Sequence, residues 1–415
     1  MKNGTPSKLL ALPILVAALG YFVDIYDLLL FSIIRVPSIR DLYAHLPAAE
    51  IDNLITTKGE MIISLQMVGL LVGGIIWGVI GDKKGRLSVL FGSILLYSLA
   101  NIANGFVTTA DQYAWVRFVA GLGLAGELGA GITLVSELTP KEKRGIATSL
   151  VAGIGLTGAI VAFFIKEEFA WRTCYFIGGG LGFLLLILRI SVFESGMFHE
   201  VKKMDVQRGN FWMLFAKWER FKRYLTGILI GLPTWFVIGV LVSFSKEFAK
   251  YFGILEPVDP GKAVMYAYAG ISIGDILIGF VSQWLKSRKK ALYVFYGITI
   301  IFMILYFTTQ QNGTASGMYW ISAGLGFGTG FWAIFVTMGA EQFGTNLRAT
   351  AATTIPNMVR GMLPLVIILF KYLRETTGSY ITGGWITGII VMSIGLIAVA
   401  TSKETFGKDL NFVEE

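Results

Sequence analysis

The stretch "SELTPKEKRGIATS", which begins at Ser136, recurs in altered form as "AEQFGTNLRATAAT", which begins at Ala340. In the first copy Glu137 and Arg144 stand seven residues apart, and the second copy repeats this glutamate–arginine spacing. The copies are 204 residues apart in a chain of 415. This spacing, close to half the length, predicts that the chain consists of two related halves.

A second and weaker repeat supports the same division. The stretch "GVIGDKKGRLSVL" begins at Gly78, and "GFVSQWLKSRKKAL" begins at Gly279, so their separation is close to that of the first pair. Two repeats at nearly one spacing favour a gene duplication over chance. Parallel repeats of this kind in a membrane protein imply a pseudo-twofold axis along the membrane normal, with a ligand site at the interface of the halves.

The composition identifies the bilayer as the solvent. Hydrophobic residues make up 54% of the chain and charged residues only 15%, whereas soluble chains carry about 25% charge. A single cysteine, Cys174, excludes an internal disulfide, and only two histidines are present, so neither a metal site nor another cofactor is expected. We therefore predict an all-α membrane protein.

Apolar runs long enough to cross a hydrocarbon core of about 30 Å recur along the whole chain. Twelve are predicted, and they are numbered here as spans 1 to 12: residues 10–34, 58–80, 87–107, 112–137, 144–165, 171–193, 224–246, 262–285, 291–309, 317–341, 346–371 and 379–401. The predicted divisions are an N-terminal six-helix bundle (1–193), a cytoplasmic central loop (194–223), a C-terminal six-helix bundle (224–401) and a cytoplasmic tail (402–415).

The distribution of lysine and arginine predicts the orientation. If the N-terminus is cytoplasmic, the inner segments hold 22 of the 35 basic residues and the outer loops hold 10. This bias follows the positive-inside rule and predicts that both termini are cytoplasmic. It also explains the net charge of +8 without a nucleic-acid partner. Short loops favour a bacterial inner membrane.

Several stretches resemble signatures of the major facilitator superfamily. "GDKKGR" from Gly81 resembles the loop between spans 2 and 3 of that family. "RFVAGLGLAGELGAG" from Arg117, "SELTPKEKRG" from Ser136 and "KETFGKDL" from Lys403 resemble motifs of its sugar-porter, organic-ion and metabolite–proton symporter branches. The resemblance covers the whole chain and implies twelve helices in two bundles that alternate access to a central site.

The same resemblance implies which residues control the gate. In the family, the carboxylate of the first signature faces the N-terminal end of span 11 and holds the inner side closed; an ordinary positive-inside loop is the alternative. Two departures matter: Gln283 replaces the carboxylate in the second copy, and span 5 lacks the proline of drug antiporters. The implied gating residues are Asp82, Gly85, Arg86, Glu137, Arg144, Glu341 and Arg348.

Because the proposed gate contact is electrostatic and remote from the substrate, Asp82→Asn is expected to reduce transport while leaving binding from the outside nearly intact. Flux and equilibrium binding, measured on the same preparation, check this. Equal loss of both would contradict the gating role.

Ionisable residues also lie inside the apolar runs, as in "GYFVDIYDLLLF" from Gly20 to Phe31. A carboxylate at the bilayer centre costs roughly 2.5–3.5 kcal/mol on insertion scales, so such residues usually face a cavity or pair with one another. Four of them, Glu60, Glu137, Arg189 and Glu341, lie near span ends and can reach the interface. Six lie deep: Asp24, Asp27, Arg117, Glu127, Asp275 and Arg360.

Depth along the helices groups the deep residues. At 1.5 Å per residue, Asp27 and Arg117 fall at similar depth in the N-terminal half. "YD" and "RFVAG" at these positions also resemble the coupling positions of sugar-porter-type proton symporters. We predict that Asp27 carries the proton, that Arg117 is its switchable partner, and that Asp24 and Glu127 are secondary candidates. Static structural ion pairs are the alternative.

The C-terminal half provides the predicted substrate site. Arg360 and Asp275 lie at similar depth, and a fixed guanidinium near the midplane suits a carboxylate. Spans 1, 4, 7 and 10 line the cavity in the resembled fold, where aromatic side chains could contact substrate; a lipid-facing aromatic surface is the alternative. The remaining predicted substrate residues are Tyr26, Trp235, Phe331 and Trp332.

These observations together predict a proton-coupled symporter that takes up a small polar organic metabolite, either a carboxylate or an amino acid. A sugar is less favoured because span 7 lacks the "QQ" pair of sugar porters. The alternative is a proton-independent facilitator or exchanger of a sugar or another small metabolite. The sequence holds neither a nucleophile elbow nor a histidine cluster, so an enzyme is not predicted. The expected partners are the substrate, the proton and the bilayer, with the protein functioning as a monomer.

Overall fold

Helices occupy all twelve predicted spans. The computed structural model describes residues 8–84, 86–127, 144–193, 211–344 and 347–408. Ten helical segments in this part are long and apolar enough to cross a membrane, and the described parts of spans 3 and 4 are shorter. In the N-terminal half the helices are Lys8–Leu42 in span 1, Ala48–Lys84 in span 2, Arg86–Asn104 in span 3, Ala110–Leu124 in span 4, Arg144–Leu156 and Gly158–Glu168 in span 5, and Trp171–Phe193 in span 6.

The C-terminal half repeats this arrangement with more interruptions. Its helices are Trp218–Phe236 and the π-helix Val237–Val242 in span 7, Pro260–Trp284 in span 8, Arg288–Thr309 in span 9, Ala315–Thr329 and Trp332–Glu341 in span 10, Arg348–Gly361 and Leu363–Thr377 in span 11, and Tyr380–Thr401 in span 12. Two short helices, Met213–Ala216 and Ser245–Phe252, precede and follow span 7.

The packing partners repeat with a shift of six spans. Span 2 packs on span 4 as span 8 packs on span 10, and span 3 packs on spans 4 and 6 as span 9 packs on spans 10 and 12. Across the halves, span 5 packs on span 8 as span 11 packs on span 2. This symmetry is what the sequence repeats predict, and the helix contacts between the bundles involve spans 1, 2, 5, 8, 10 and 11.

Glycine at equivalent positions lets the paired spans approach closely. A Cβ added to Gly121 in span 4 would overlap the backbone oxygen of Gln66 in span 2, and one added to Gly326 in span 10 would overlap that of Ala267 in span 8. Small residues at such crossings are the usual means of packing membrane helices. The glycine-rich stretch of span 4 therefore serves packing, at least at Gly121.

Hydropathy alone misplaced several helix ends. Spans 1 and 2 extend well past their predicted limits toward each other, and only residues 43–47 separate them. The predicted apolar run of span 1 ended before Arg35 because this residue is charged. The Arg35 side chain is buried and paired with Glu247, so the helix continues through it. Span 11 is interrupted at Met362, directly before the Leu363–Pro364 step, because proline cannot continue the backbone hydrogen-bond pattern.

Candidate transport site

The first buried charge cluster joins spans 1, 2, 3 and 4 inside the N-terminal bundle. Asp27 and Arg117 are 0% exposed, and Arg117 Nη1 lies 2.7 Å from Asp27 Oδ1. Arg117 Nη2 donates to the backbone oxygen of Asp27 at 2.8 Å, and Nε donates to Gln66 Oε1 at 3.2 Å. Arg117 Nη1 also donates to Asn101 Oδ1 at 3.3 Å. The structure thus brings together the two residues whose estimated depths agree.

The second cluster lies between the bundles. Arg360 Nη2 in span 11 is 3.9 Å from Asp24 Oδ2 in span 1, and both side chains are buried. At this distance they form an ion pair without a hydrogen bond, and within the described part of the chain neither carboxylate oxygen of Asp24 has a hydrogen-bond partner. Arg360 Nη1 is 3.4 Å from Asn357 Oδ1, whose amide in turn donates to the Ala125 backbone oxygen at 2.8 Å.

Two indole rings flank the Arg360 guanidinium. Its Cζ lies 5.9 Å from the ring centroid of Trp235 in span 7 and 5.6 Å from that of Trp332 in span 10. The two rings meet edge to face at 6.4 Å. Both are buried, which excludes the lipid-facing alternative, and neither indole N–H has a hydrogen-bond partner among the described residues. Such contacts stabilise a cation by electrostatic attraction to the ring faces.

Asp275 is not the partner of Arg360. Its Oδ1 accepts a hydrogen bond of 2.9 Å from the Ala333 backbone N–H, at the start of the helix Trp332–Glu341. The break in span 10 after Gly330 exposes this helix N-terminus, whose partial positive charge attracts a carboxylate. Equal depth was therefore a misleading guide, because depth does not specify which neighbour a side chain faces.

Two further predicted substrate residues point into the cores of their own bundles. The Tyr26 hydroxyl donates to the Cys174 backbone oxygen in span 6 at 2.9 Å. Phe331 stacks on Tyr296 in span 9, with ring centroids 5.2 Å apart. Both side chains are fully buried in these contacts. They shape the helices around the site and do not contact the Asp24–Arg360 pair.

Glu127 has its own buried partner. Arg189 in span 6 forms a two-point pair with it, in which Nη1 donates to Oε2 at 2.9 Å. The pair lies against Gly20 of span 1, where a Cβ would overlap both side chains. The expectation that Arg189 reaches the membrane interface was wrong, since it is buried and held by Glu127.

Two residues of the predicted gate, Glu341 and Arg348, belong to the described part of the second half. Glu341 pairs with Arg288 at 3.3 Å and accepts a hydrogen bond from Thr405 Oγ1 at 2.7 Å. Arg348 begins the first helix of span 11. The other implied gating residues lie outside the described residues, in whole or in their side chains: Asp82, Gly85, Arg86, Glu137 and Arg144.

Ion pairs across the bundles close the opposite end of the molecule, which sequence reasoning missed. Arg35 donates two hydrogen bonds to Glu247, at 2.9 and 3.1 Å, and one to the Ser243 backbone oxygen at 2.8 Å. Glu60 bridges span 2 to Lys371 and Arg374 of span 11, at 3.0 and 3.2 Å. The sequence signal that could have found them is the presence of basic and acidic residues where spans 1, 7 and 11 end and where span 2 begins.

Removing one partner of the Arg35–Glu247 pair should favour separation of the two bundles at the end of the molecule where this pair lies. Breaking a buried ion pair from one side costs about 3–5 kcal/mol, and 1.4 kcal/mol is a factor of ten. The assay uses a Cys174→Ser background with a single new cysteine, Ser32→Cys, which a membrane-impermeant maleimide labels. We therefore expect Glu247→Gln to raise the labelling rate about tenfold or more. Ser32 lies beside Ser243 at this end.

The matched control is Asp111→Asn. Its partner Lys58 belongs to the same bundle, so this pair, at 3.1 Å, does not connect the halves. An unchanged labelling rate in Glu247→Gln, or an equal rise in the control, would contradict a role for the Arg35 pair in closure.

Two symmetric helical bundles with buried charges between them define a polytopic membrane protein of the secondary-transporter class. The chain belongs to the Major Facilitator Superfamily, whose family model matches residues 17–368. It is therefore a transporter rather than an enzyme, and a secondary transporter of small organic metabolites.

Named relatives agree with this family. The niacin transporter NiaP of Acinetobacter baylyi is 26% identical, covering 96% of this chain and 95% of that protein. The 3-(3-hydroxy-phenyl)propionate transporter of Escherichia coli is 24% identical over 82% of this chain and 84% of its own. The solved structure of the proton:xylose symporter XylE matches with a TM-score of 0.69 over 97% of this chain and 98% of that chain, at 14% identity, and shows the shared fold.

Proposed function

We propose that this protein is a proton-coupled symporter that takes up a small aromatic monocarboxylate. Niacin and 3-(3-hydroxyphenyl)propionate, the substrates in the names of two relatives, each combine one aromatic ring with one carboxylate, which is bonded to the ring in niacin and joined to it by a two-carbon chain in the other. That chemistry fits the predicted preference for a carboxylate metabolite over a sugar.

The arrangement around Arg360 is the observation that carries the proposal. A guanidinium binds a carboxylate through two parallel hydrogen bonds, and Trp235 and Trp332 offer ring faces and unpartnered indole N–H groups beside it. Asp24 stands 3.9 Å away with unsatisfied oxygens. A substrate carboxylate can therefore replace Asp24 at Arg360 while its ring packs against the indole pair.

Proton coupling is assigned to Asp27 with Arg117. A carboxylate beside a guanidinium stays ionised, whereas one left without its partner in a low-dielectric cavity takes up a proton. A shift of span 1 against span 4 within the N-terminal bundle would separate the 2.7 Å pair and let Asp27 take up a proton. The return of span 1 would release that proton. Asp24, on the same face of span 1, and Glu127 are the secondary candidates.

Facilitation or exchange without protons remains the competing function, and one observation favours it. Arg117 donates four hydrogen bonds, to the Asp27 carboxylate, the Asp27 backbone oxygen, Gln66 and Asn101. A cluster so complete also suits a purely structural role. The basic-residue bias supports both termini in the cytoplasm, and the bacterial relatives support a bacterial inner membrane. Membership of the family supports a monomer.

A thermal-shift assay tests the substrate class, and transport into proteoliposomes tests the proton coupling. Niacin and 3-(3-hydroxyphenyl)propionate should stabilise the purified protein in a thermal-shift assay, while niacinamide, which lacks the carboxylate, and xylose should not. The ligand that binds should accumulate in vesicles when an inward proton gradient is imposed, and should not when the gradient is abolished. Gradient-independent equilibration of a bound acid would overturn coupling but leave the substrate class intact.

A further inference from the structure

The segment that leads into span 7 exposes large aromatic side chains. Residues 211–225 read "FWMLFAKWERFKRYL" and include the short helix Met213–Ala216 and the start of span 7. Trp212 and Trp218 expose 75% and 72% of their surface, and Phe215 exposes 41%. Water would solvate so large an apolar area poorly, and neither the gate nor the transport site uses it.

The aromatic side chains form one packed surface. Phe215 contacts Phe221 and Tyr224, with ring centroids 5.8 Å apart in each case, and Trp218 contacts Phe221 at 5.6 Å. The buried Phe211 packs against Phe215, with ring centroids 5.2 Å apart. Phe215, Trp218 and Phe221 line a wide, open depression of about 420 Å³, and this depression is the aromatic groove.

The position of this groove indicates what covers it. Trp218, Phe221 and Leu225 lie at helical spacing on one side of span 7, and Leu225 is exposed on the same side. The groove therefore reaches the exposed Leu225, where the mostly buried part of span 7 begins. Tryptophan is enriched where the hydrocarbon meets the headgroups, so lipid is the occupant that the surface suits.

Charge selects the kind of lipid. Lys217 and Lys222 are exposed on either side of Trp218 in sequence, and they outnumber the exposed Glu219 that lies between them. Basic residues next to a membrane-embedded aromatic face attract anionic headgroups. We propose that residues 211–225 form a binding site for an anionic phospholipid, with its phosphodiester group on Lys217 and Lys222 and an acyl chain in the aromatic cleft.

The site is attached to the moving parts of the transporter. Arg223, one turn further along, donates to the Gln342 backbone oxygen at 2.6 Å and lies over the Phe343 ring at 5.2 Å. Gln342 and Phe343 follow the last helix of span 10. A lipid held on this turn therefore lies on the same helix as Arg223, whose contacts join span 7 to the connection between spans 10 and 11.

Photo-crosslinking in nanodiscs tests the site on the full chain. Diazirine-labelled phosphatidylglycerol and phosphatidylcholine are incorporated at equal density, and labelled peptides are identified by mass spectrometry. The anionic probe should label residues 211–225 several-fold more than the zwitterionic probe. Lys217→Gln/Lys222→Gln should reduce phosphatidylglycerol labelling to the phosphatidylcholine level, and Trp218→Ala should reduce labelling by both.

The control is Lys290→Gln/Lys403→Gln, which removes two exposed lysines outside the aromatic groove. It should leave labelling of residues 211–225 unchanged. Equal labelling by the two lipids in the wild-type protein, an equal effect of the control, or a crosslink between two protein copies through this segment would overturn the proposal. The transport proposal is independent of each of these outcomes.

Discussion

Asp27→Asn is expected to abolish the accumulation of substrate driven by a proton gradient, while substrate binding and counterflow exchange persist. Asparagine has the same shape, and it keeps an oxygen that accepts from Arg117 but cannot take up a proton. The bonds from Arg117 to the Asp27 backbone and to Gln66 do not depend on the carboxylate charge. The measurement is the accumulation ratio in proteoliposomes, which should fall to about unity.

Glu127→Gln is the matched control for that experiment. It removes a carboxylate that is equally buried in the same bundle and also paired with an arginine, Arg189. If the coupling belongs to Asp27, the Glu127 variant should still accumulate substrate, although its stability should fall because Arg189 loses its partner. Accumulation by Asp27→Asn would contradict the assignment and make Asp24 or Glu127 the next candidate.

The fold was predictable because hydropathy and duplication both act over long stretches. Twenty-residue apolar runs and two repeats at one spacing are strong signals, and the helix pairings repeat accordingly. The ends were less predictable, since a charged residue such as Arg35 looks like an interface residue until its partner Glu247, 212 positions away, is known. Ion pairs between the bundles depend on the tertiary structure, and the local sequence around each residue does not indicate them.

The site was partly predictable for the same reason. Depth along a helix estimates one coordinate, and it was sufficient to suggest Asp27 with Arg117. It failed for Asp275, which shares a depth with Arg360 but turns toward the helix N-terminus at Ala333. The break in span 10 that exposes this N-terminus has no clear sequence signal beyond Gly328 and Gly330, in a chain that holds 50 glycines.

Arg360→Lys is expected to weaken substrate binding about 10- to 100-fold although the positive charge is kept. Hydrogen bonds to charged groups contribute about 1.5–3 kcal/mol, and each 1.4 kcal/mol is a factor of ten. A lysine ammonium offers a point charge, so the two parallel bonds to a carboxylate and the flat contact with Trp235 and Trp332 are both lost. Equilibrium binding of niacin or 3-(3-hydroxyphenyl)propionate measures the change.

The Arg360→Lys variant should also discriminate less between niacin and niacinamide. This loss distinguishes a binding role of Arg360 from a purely structural one. Wild-type protein should prefer niacin strongly over niacinamide, and Arg360→Lys should narrow that ratio because the lost bonds are those to the carboxylate. Arg189→Lys, a buried arginine already paired with Glu127, serves as the control and should leave the ratio unchanged. An unaltered affinity and ratio in Arg360→Lys would make the Asp24–Arg360 pair a structural ion pair, and the aromatic-carboxylate assignment would then lose its physical basis.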